Sequence, residues 1–343
     1  MTRTETAPPL AGSVNHQTRH SIRLPAETGA VVALAVLLAL LGWLHPSFLE
    51  PANLLSVLGQ AALPGLLAIG MVFVLALREI DLSVGWMFHL AALLTAFLLA
   101  VGINPWLAAL AGVLLGAGLG LVNGLLVVAL RLPVIVVTLG TFAMFRGLAA
   151  VAVKMQATAP ANPSGELFEI VHGKLFGVVP TAVFVFAAMA MVMQLVLQRS
   201  RFGYRVQAVG SNPQAALYAG IPTGTVRLQA LVLMGTVSGL AGALWLGSPV
   251  TDTDQGGGFV LMAIAAALIG GTSLSGGRGT VIGAVIGMLI VQVILSGVTL
   301  FGIDATWNSF VIGAVMVLAL ALDRLVKLLR NRRTERIPEN MHA

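Results

Sequence analysis

The chain has no cysteine among its 343 residues, which excludes both a disulfide framework and a thiolate metal site. Charge is scarce as well, with 9% of residues ionised. The sequence offers no His-Glu zinc pair, no nucleophilic serine elbow and no carboxylate pair, so no catalytic constellation and no metal centre is expected. A Walker-type phosphate loop is missing too. Gly271 to Arg278 is a near miss, but it lacks the Lys-Ser/Thr ending and follows no soluble strand. ATP hydrolysis by that route, and any cofactor on this chain, are therefore not expected.

What is present is apolar length. Hydrophobic residues make up 58% of the chain and the mean hydropathy is +0.96, far beyond soluble proteins. The formal charge of +6 is not a nucleic-acid patch, because the basic residues sit in short segments between apolar spans and at the C-terminal end. The composition predicts an all-α polytopic membrane protein in contact with lipid.

Residues 1–26 are polar, carry Pro8, Pro9, Arg19 and Arg23, show no apolar period and read as a disordered cytoplasmic tail. Gly29–Leu44 could imitate a signal-peptide core, but no small-x-small cleavage site follows; it reads as a first span. Further stretches of bilayer length lie at about 54–77, 82–101, 105–130, 134–153, 178–198, 228–247, 280–300 and 307–325. Phe259–Ile269 is short enough to cross or to dip and return. Charge parity favours crossing. With the N-terminus inside, the inner loops hold Arg78, Arg131, Arg199, Arg201, Arg205 and Arg278, and the tail adds Lys327, Arg330 and Arg332. The opposite loops hold Glu50, Asp252, Asp254 and Asp304, with Lys154 and Lys174 in the long 154–179 loop. This is the positive-inside pattern, and it predicts about ten spans within 27–326, a basic cytoplasmic tail over 327–343, and both termini in the cytoplasm.

The longest polar-leaning interruption runs from Arg199 to about 226. Asn212 can accept from the first-turn amides of a helix, and Pro213 fits at its first position. Gly220 supplies a left-handed stop and Pro222 forbids continuation, so a short helix of about two turns is expected from Pro213 to Ala219. Ala215, Ala216 and Ala219 surround Tyr218, a shape suited to a partner's groove. An ordinary capped loop helix reads equally well on these residues.

Other features have packing readings. Gly112, Gly116, Gly120 and Gly124 line one helical face and permit close backbone approach. Asn123 flanks that stripe, as an interhelical hydrogen-bond partner or a path-lining group. Asp81 or Ser83 can cap the third span, while Arg78 can hold Glu79 or lipid headgroups. The glycine clusters 256–258 and 270–279 flank a short helix; they mark either tight turns or an irregular, cavity-lining backbone. Arg146, inside a span, calls for a partner or a cavity.

Several stretches in order carry a family resemblance over nearly the whole chain: Glu79–Gly85, Gly120–Gly124 with Asn123, Leu132–Gly140 with Thr138, Arg146-Gly147, Val209–Ile221 and Ile269–Gly287. The chain resembles the inner-membrane permease subunits of bacterial ABC importers for sugars, the ribose, xylose, arabinose and autoinducer-2 branch. The resemblance implies that Val209–Ile221, with Gly210, Asn212, Pro213, Ala215, Ala216, Tyr218 and Gly220, docks on a separate ABC ATP-binding subunit. It also implies a second permease chain around the path, a periplasmic solute-binding protein delivering a sugar, and a bacterial inner (plasma) membrane location. Asn123, Thr138, Gln292 and Asn308 are the candidates for the path, since uncharged amides and hydroxyls suit a solute that must bind weakly and leave. Two departures stand out. Arg78 and Glu79 replace the usual glycines before Ile80, and Gln214 and Leu217 replace the charged residues common in the docking helix. An ion-coupled secondary carrier is the alternative, against which the sparse intramembrane carboxylates and the capped helix speak.

Overall fold

A computed structural model describes residues 27–156, 167, 170–171, 173–245 and 255–334. The tail 1–26, the acidic pair Asp252 and Asp254, and the chain beyond 334 lie outside the described residues. Twelve helices follow in order: α1 (Thr28–Leu44), α2 (Pro51–Ala76), α3 (Val84–Ala100), α4 (Pro105–Leu130), α5 (Val134–Gln156), α6 (Thr181–Arg199), α7 (Arg201–Ser211), α8 (Pro213–Tyr218), α9 (Thr223–Leu244), α10 (Gln255–Ile269), α11 (Val281–Leu300) and α12 (Asn308–Thr334). A two-stranded antiparallel hairpin, β1 (Lys174–Leu175) and β2 (Val179–Pro180), precedes α6.

Six helices, α2, α4, α5, α6, α9 and α11, are long and apolar enough to cross a membrane, and α1, α3, α10 and the first part of α12 are shorter apolar helices. The surface has the inverse polarity of a soluble protein. Leu107, Leu110, Leu114 and Leu121 of α4, and Met144 and Leu148 of α5, stand exposed on the outside of the bundle. Faces this apolar are stable only against lipid tails or another apolar surface. The chain is a multi-pass membrane protein.

α2 is the centre. From Ala61 to Leu77 nearly every side chain is buried, including Leu66, Leu67, Ile69 and Phe73 with no exposure at all. α9 packs against this axis, and α4 packs on the other side of α9, backbone to backbone. A Cβ added at Gly116 would meet the Gly235 carbonyl and Gly239, and one at Gly120 would meet the Leu231 carbonyl. The glycine stripe read from the sequence is therefore a packing face, and its partners on α9 are Gly235 and Gly239, while Gly242 lies against the Phe88 carbonyl of α3. Without a hydrophobic force between helices in lipid, such contact relies on dispersion and close approach.

The connections gather at two ends. At one end, Gly277 donates its N–H to the Ala76 carbonyl, the Thr138 hydroxyl reaches the Ile80 carbonyl, and Arg227 Nε lies 3.2 Å from Glu79. The Glu27 carboxylate at the start of α1 accepts from the Thr280 hydroxyl before α11. At the other end, His45 stacks edge-on with Phe301 at 6.2 Å, and the hairpin's Pro180 lies against the start of α2 at Gly59. The basic inner loops of the sequence reading meet at the first of these ends.

Candidate functional site

The polar interruption folds into two helices rather than one. α7 was not foreseen as a helix. Ser200 caps it by accepting from Gly203 N–H at 3.0 Å. α8 follows at once and spans Pro213–Tyr218, with Ala219 as its C-cap. Asn212 accepts from the amides of Gln214 and Ala215 at 3.1 and 3.0 Å, the expected cap. Gly220 stands at φ +77°, so the left-handed stop is real, and Ile221 N–H returns to the Ala216 carbonyl.

α8 presents Ala215, Leu217 and Tyr218 outward; Tyr218 is 89% exposed, one of the most exposed large side chains in the protein. Both tyrosines of the chain, Tyr204 and Tyr218, stand on this segment with their rings exposed. A cavity of about 350 Å³ at the junction of α6 and α7 is lined by Arg199, Arg201, Tyr204, Arg205 and Ile221. Ala216 differs from its neighbours. It is buried within this chain, so it cannot approach a partner as Ala215 can, and a charge placed there would strain the fold itself.

Below α8 lies a node that sequence reasoning did not assemble. Arg78, at φ +65°, aims its guanidinium at the C-terminal end of α7, donating from Nε to the Gly210 carbonyl and from Nη2 to the Ser211 carbonyl. Those are the free carbonyls of a helix end, where a cation is favoured by the dipole. Arg78 thus holds the end of α7 rather than Glu79. Glu79 pairs with Arg227 instead, at the start of α9; burial pushes its carboxyl up while Arg227 pulls it down. Gly210 and Gly277 close the node from the other sides: a Cβ at Gly210 would strike the Ala76 carbonyl, and one at Gly277 would strike Ser211. The cluster 270–279 is a tight turn, with Gly271, Gly276 and Gly277 all at positive φ.

The four path candidates separate into two pairs. Asn123 and Thr138 are fully buried near the node. Asn123 Nδ2 donates to Ser83 Oγ at 2.8 Å, and Ser83 donates to Asp81 Oδ1 at 2.7 Å. Asp81 therefore serves the turn before α3 through Ser83; the Ser83 side chain makes no helix-capping bond. These groups fasten helices together. Arg146, meanwhile, lies on an exposed face with its guanidinium 6.0 Å from the Trp86 ring centre.

Gln292 and Asn308 do share a site, at the opposite end of the molecule. A cavity of about 570 Å³ is lined by Asn53, Gln60, Trp245, Gln292, Ser296 and Asn308 among others. Gln292 Nε2 donates to Gln60 Oε1 at 3.0 Å, linking α11 to α2. A second cavity of about 660 Å³ adjoins it through the shared residues Gln60 and Trp245 and reaches the hairpin at Lys174. The sequence signal for Asn53 and Gln60 was available, as isolated amides in the first turns of an apolar span. It was obscured because amides at span ends are also ordinary interface residues.

An apolar-surfaced helical bundle, with an exposed capped helix at one end and an uncharged polar cavity at the other, defines a multi-pass membrane permease. The chain belongs to the family of branched-chain amino acid transport system permease components, whose profile matches residues 53–320. It is 37% identical to the ribose import permease protein RbsC of Bacillus subtilis (strain 168), over 87% of this chain and 92% of that protein. It is 34% identical to the D-allose transport system permease protein AlsC of Escherichia coli (strain K12), over 87% and 91% respectively. The autoinducer 2 import system permease protein LsrC of Yersinia enterocolitica is also 34% identical, over 87% and 82%. Among solved structures, an inward-facing metal-chelate type ABC transporter superposes with a TM-score of 0.51 at 15% identity, over 87% of this chain and 98% of that one, a likeness of fold.

Proposed function

We propose that this chain is the transmembrane permease subunit of an ATP-driven importer, passing a sugar or similar small hydroxylated solute across a bacterial inner membrane by alternating access. It is non-catalytic; hydrolysis belongs to a separate ATP-binding subunit, and a periplasmic solute-binding protein and a second permease chain complete the assembly. The observation that carries this reading is α8: capped by Asn212, stopped by Gly220, and presenting Leu217 and Tyr218 at the end where the basic loops meet. An exposed aromatic on a short rigid helix is what an anchor in a partner's pocket requires. Ala215, Tyr218, Asn212, Pro213, Gly210 and Gly220 are the coupling residues, and the Arg78 node passes their movement to α2. Gln292 and Asn308 belong to the path; Asn123 and Thr138 act beside it as fasteners.

About ten crossings with both termini cytoplasmic belong to this reading, supported by the alternation of basic and acidic loops in the sequence. A reporter inserted near Arg278 should then lie in the cytoplasm and one near Asp304 in the periplasm; both on one side would refute ten crossings. The transport reading is tested with vesicles containing the permease, its ATPase and its solute-binding protein. Uptake should need ATP and survive collapse of the ion gradients, whereas an ion-coupled carrier would show the reverse.

A further inference from the structure

We propose that the cavity between α2, α10 and α11 is a solute-holding chamber of the permease itself, built for an uncharged polyhydroxylated molecule with one apolar face. The inference rests on the transport reading above and names the site and chemistry within it.

Four amides and two hydroxyls converge there: Asn53, Gln60, Gln292 and Asn308, with Ser296 and Thr299. None of the described lining residues is ionisable. Amides and hydroxyls donate and accept together, which matches a hydroxyl-bearing solute and gives a free carboxylate or ammonium no counter-charge. The opposite wall is aromatic. Trp245 and Phe259 meet at 5.2 Å in an edge-to-face pair, and Phe88 backs both. A ring with hydroxyls at its edge and C–H bonds on its face satisfies both walls.

Two atoms of the lining residues point the same way. Trp245 Nε1, a donor, and Asn308 Oδ1, an acceptor, are buried with no hydrogen-bond partner among the described residues. Buried polar groups without partners are rare and unfavourable, and here one donor and one acceptor flank the same cavity. The Gln60–Gln292 bond joins α2 to α11 across this space, and both amides keep further donors and acceptors for a solute. α2 also ends at the Arg78 node, so the helix moved at one end carries a wall of the chamber at the other.

The test uses the lack of cysteine. Ser296→Cys in the full-length chain, assembled with its ATPase in lipid nanodiscs, is reacted with a water-soluble thiol reagent. D-ribose, D-glucose, sorbitol and gluconate serve as probes. At least one neutral probe should slow modification, and gluconate should not. Asn308→Leu should weaken that protection about tenfold, the loss expected when a buried hydrogen-bonding partner is removed, and Gln60→Leu, at a more exposed side chain, should weaken it less. Asn308→Gln should restore part of it. Equal modification rates with and without every probe would overturn the chamber, as would protection by gluconate alone. A failure of the transport reading looks different: vesicles with the unsubstituted permease would then show no ATP-driven uptake of any neutral probe.

Discussion

The two ends of the bundle solve opposite problems with different chemistry. The α8 end is closed by backbone contacts and charge: Arg78 on two helix-end carbonyls, Glu79 with Arg227, and glycines where a Cβ would collide. The far end holds a cavity whose described lining is uncharged, with amides and hydroxyls around it. A joint that transmits force needs few alternative states, which short charge-assisted bonds and close backbone contact provide. A chamber that loads and unloads a solute needs weak, exchangeable hydrogen bonds. The consequence is a difference in what substitution should damage: folding and coupling at one end, solute handling at the other.

The largest effect belongs to the spine that both ends share. Gly116→Leu would drive a side chain into the α9 backbone, and we expect a loss of about 3 kcal/mol, read as collapse of folded, monodisperse protein after extraction. Next is Arg78→Gln, which removes the charge on the α7 carbonyls and should weaken the joint by about 2 kcal/mol. Insertion should persist while ATP hydrolysis proceeds with little uptake. Normal uptake in that variant would dissolve the distinction between the ends. Gly220→Val should be smaller, about 1–2 kcal/mol for forcing a side chain into the left-handed region, with Gly220→Asn milder; relative uptake in vesicles orders the three.

The smallest effect lies at the far end. Asp304 is fully exposed, and its carboxylate, accepting from Thr306 N–H at 2.8 Å, is held below the usual range. A lowered carboxyl stabilises the folded state above its unfolded pKa, and that contribution fades as pH falls through the folded value. Thermal stability of Asp304→Asn should therefore match the parent most closely in acid and trail it slightly at neutral pH. A large deficit at neutral pH would mean that the far end too is fastened by charge.

Much of this was legible in the sequence. The apolar spans, the Asn212 cap, the Gly220 stop and the α4 glycine stripe are local patterns, and local chemistry decides them. Apart from α7, which was missed, and the Ser83 cap, which does not form, the misreadings came from the three-dimensional surroundings. Arg78 was placed on Glu79 or lipid because they are adjacent; its acceptors lie 132 and 133 residues away. Ala216 resembled Ala215, yet α8 turns one face to its own chain and the other outward, and a helix of six residues shows no period from which to tell. Asn123 and Gln292 were equivalent as buried amides. Only the three-dimensional arrangement sends one to Ser83 and the other to Gln60 beside the far-end cavity.

The central claim is that the exposed face of α8 docks on a separate ATP-binding subunit, and site-directed cross-linking tests it most directly. Tyr218→Cys in this cysteine-free chain, combined with a short bifunctional thiol reagent and an ATPase carrying engineered surface cysteines, should give a permease–ATPase adduct. Its yield should change between nucleotide-free and ATP-bound states, and Leu107→Cys on the lipid-facing side of α4 should give none. Equal yields from the two positions, or no adduct from Tyr218→Cys in an assembly that transports normally, would contradict the account.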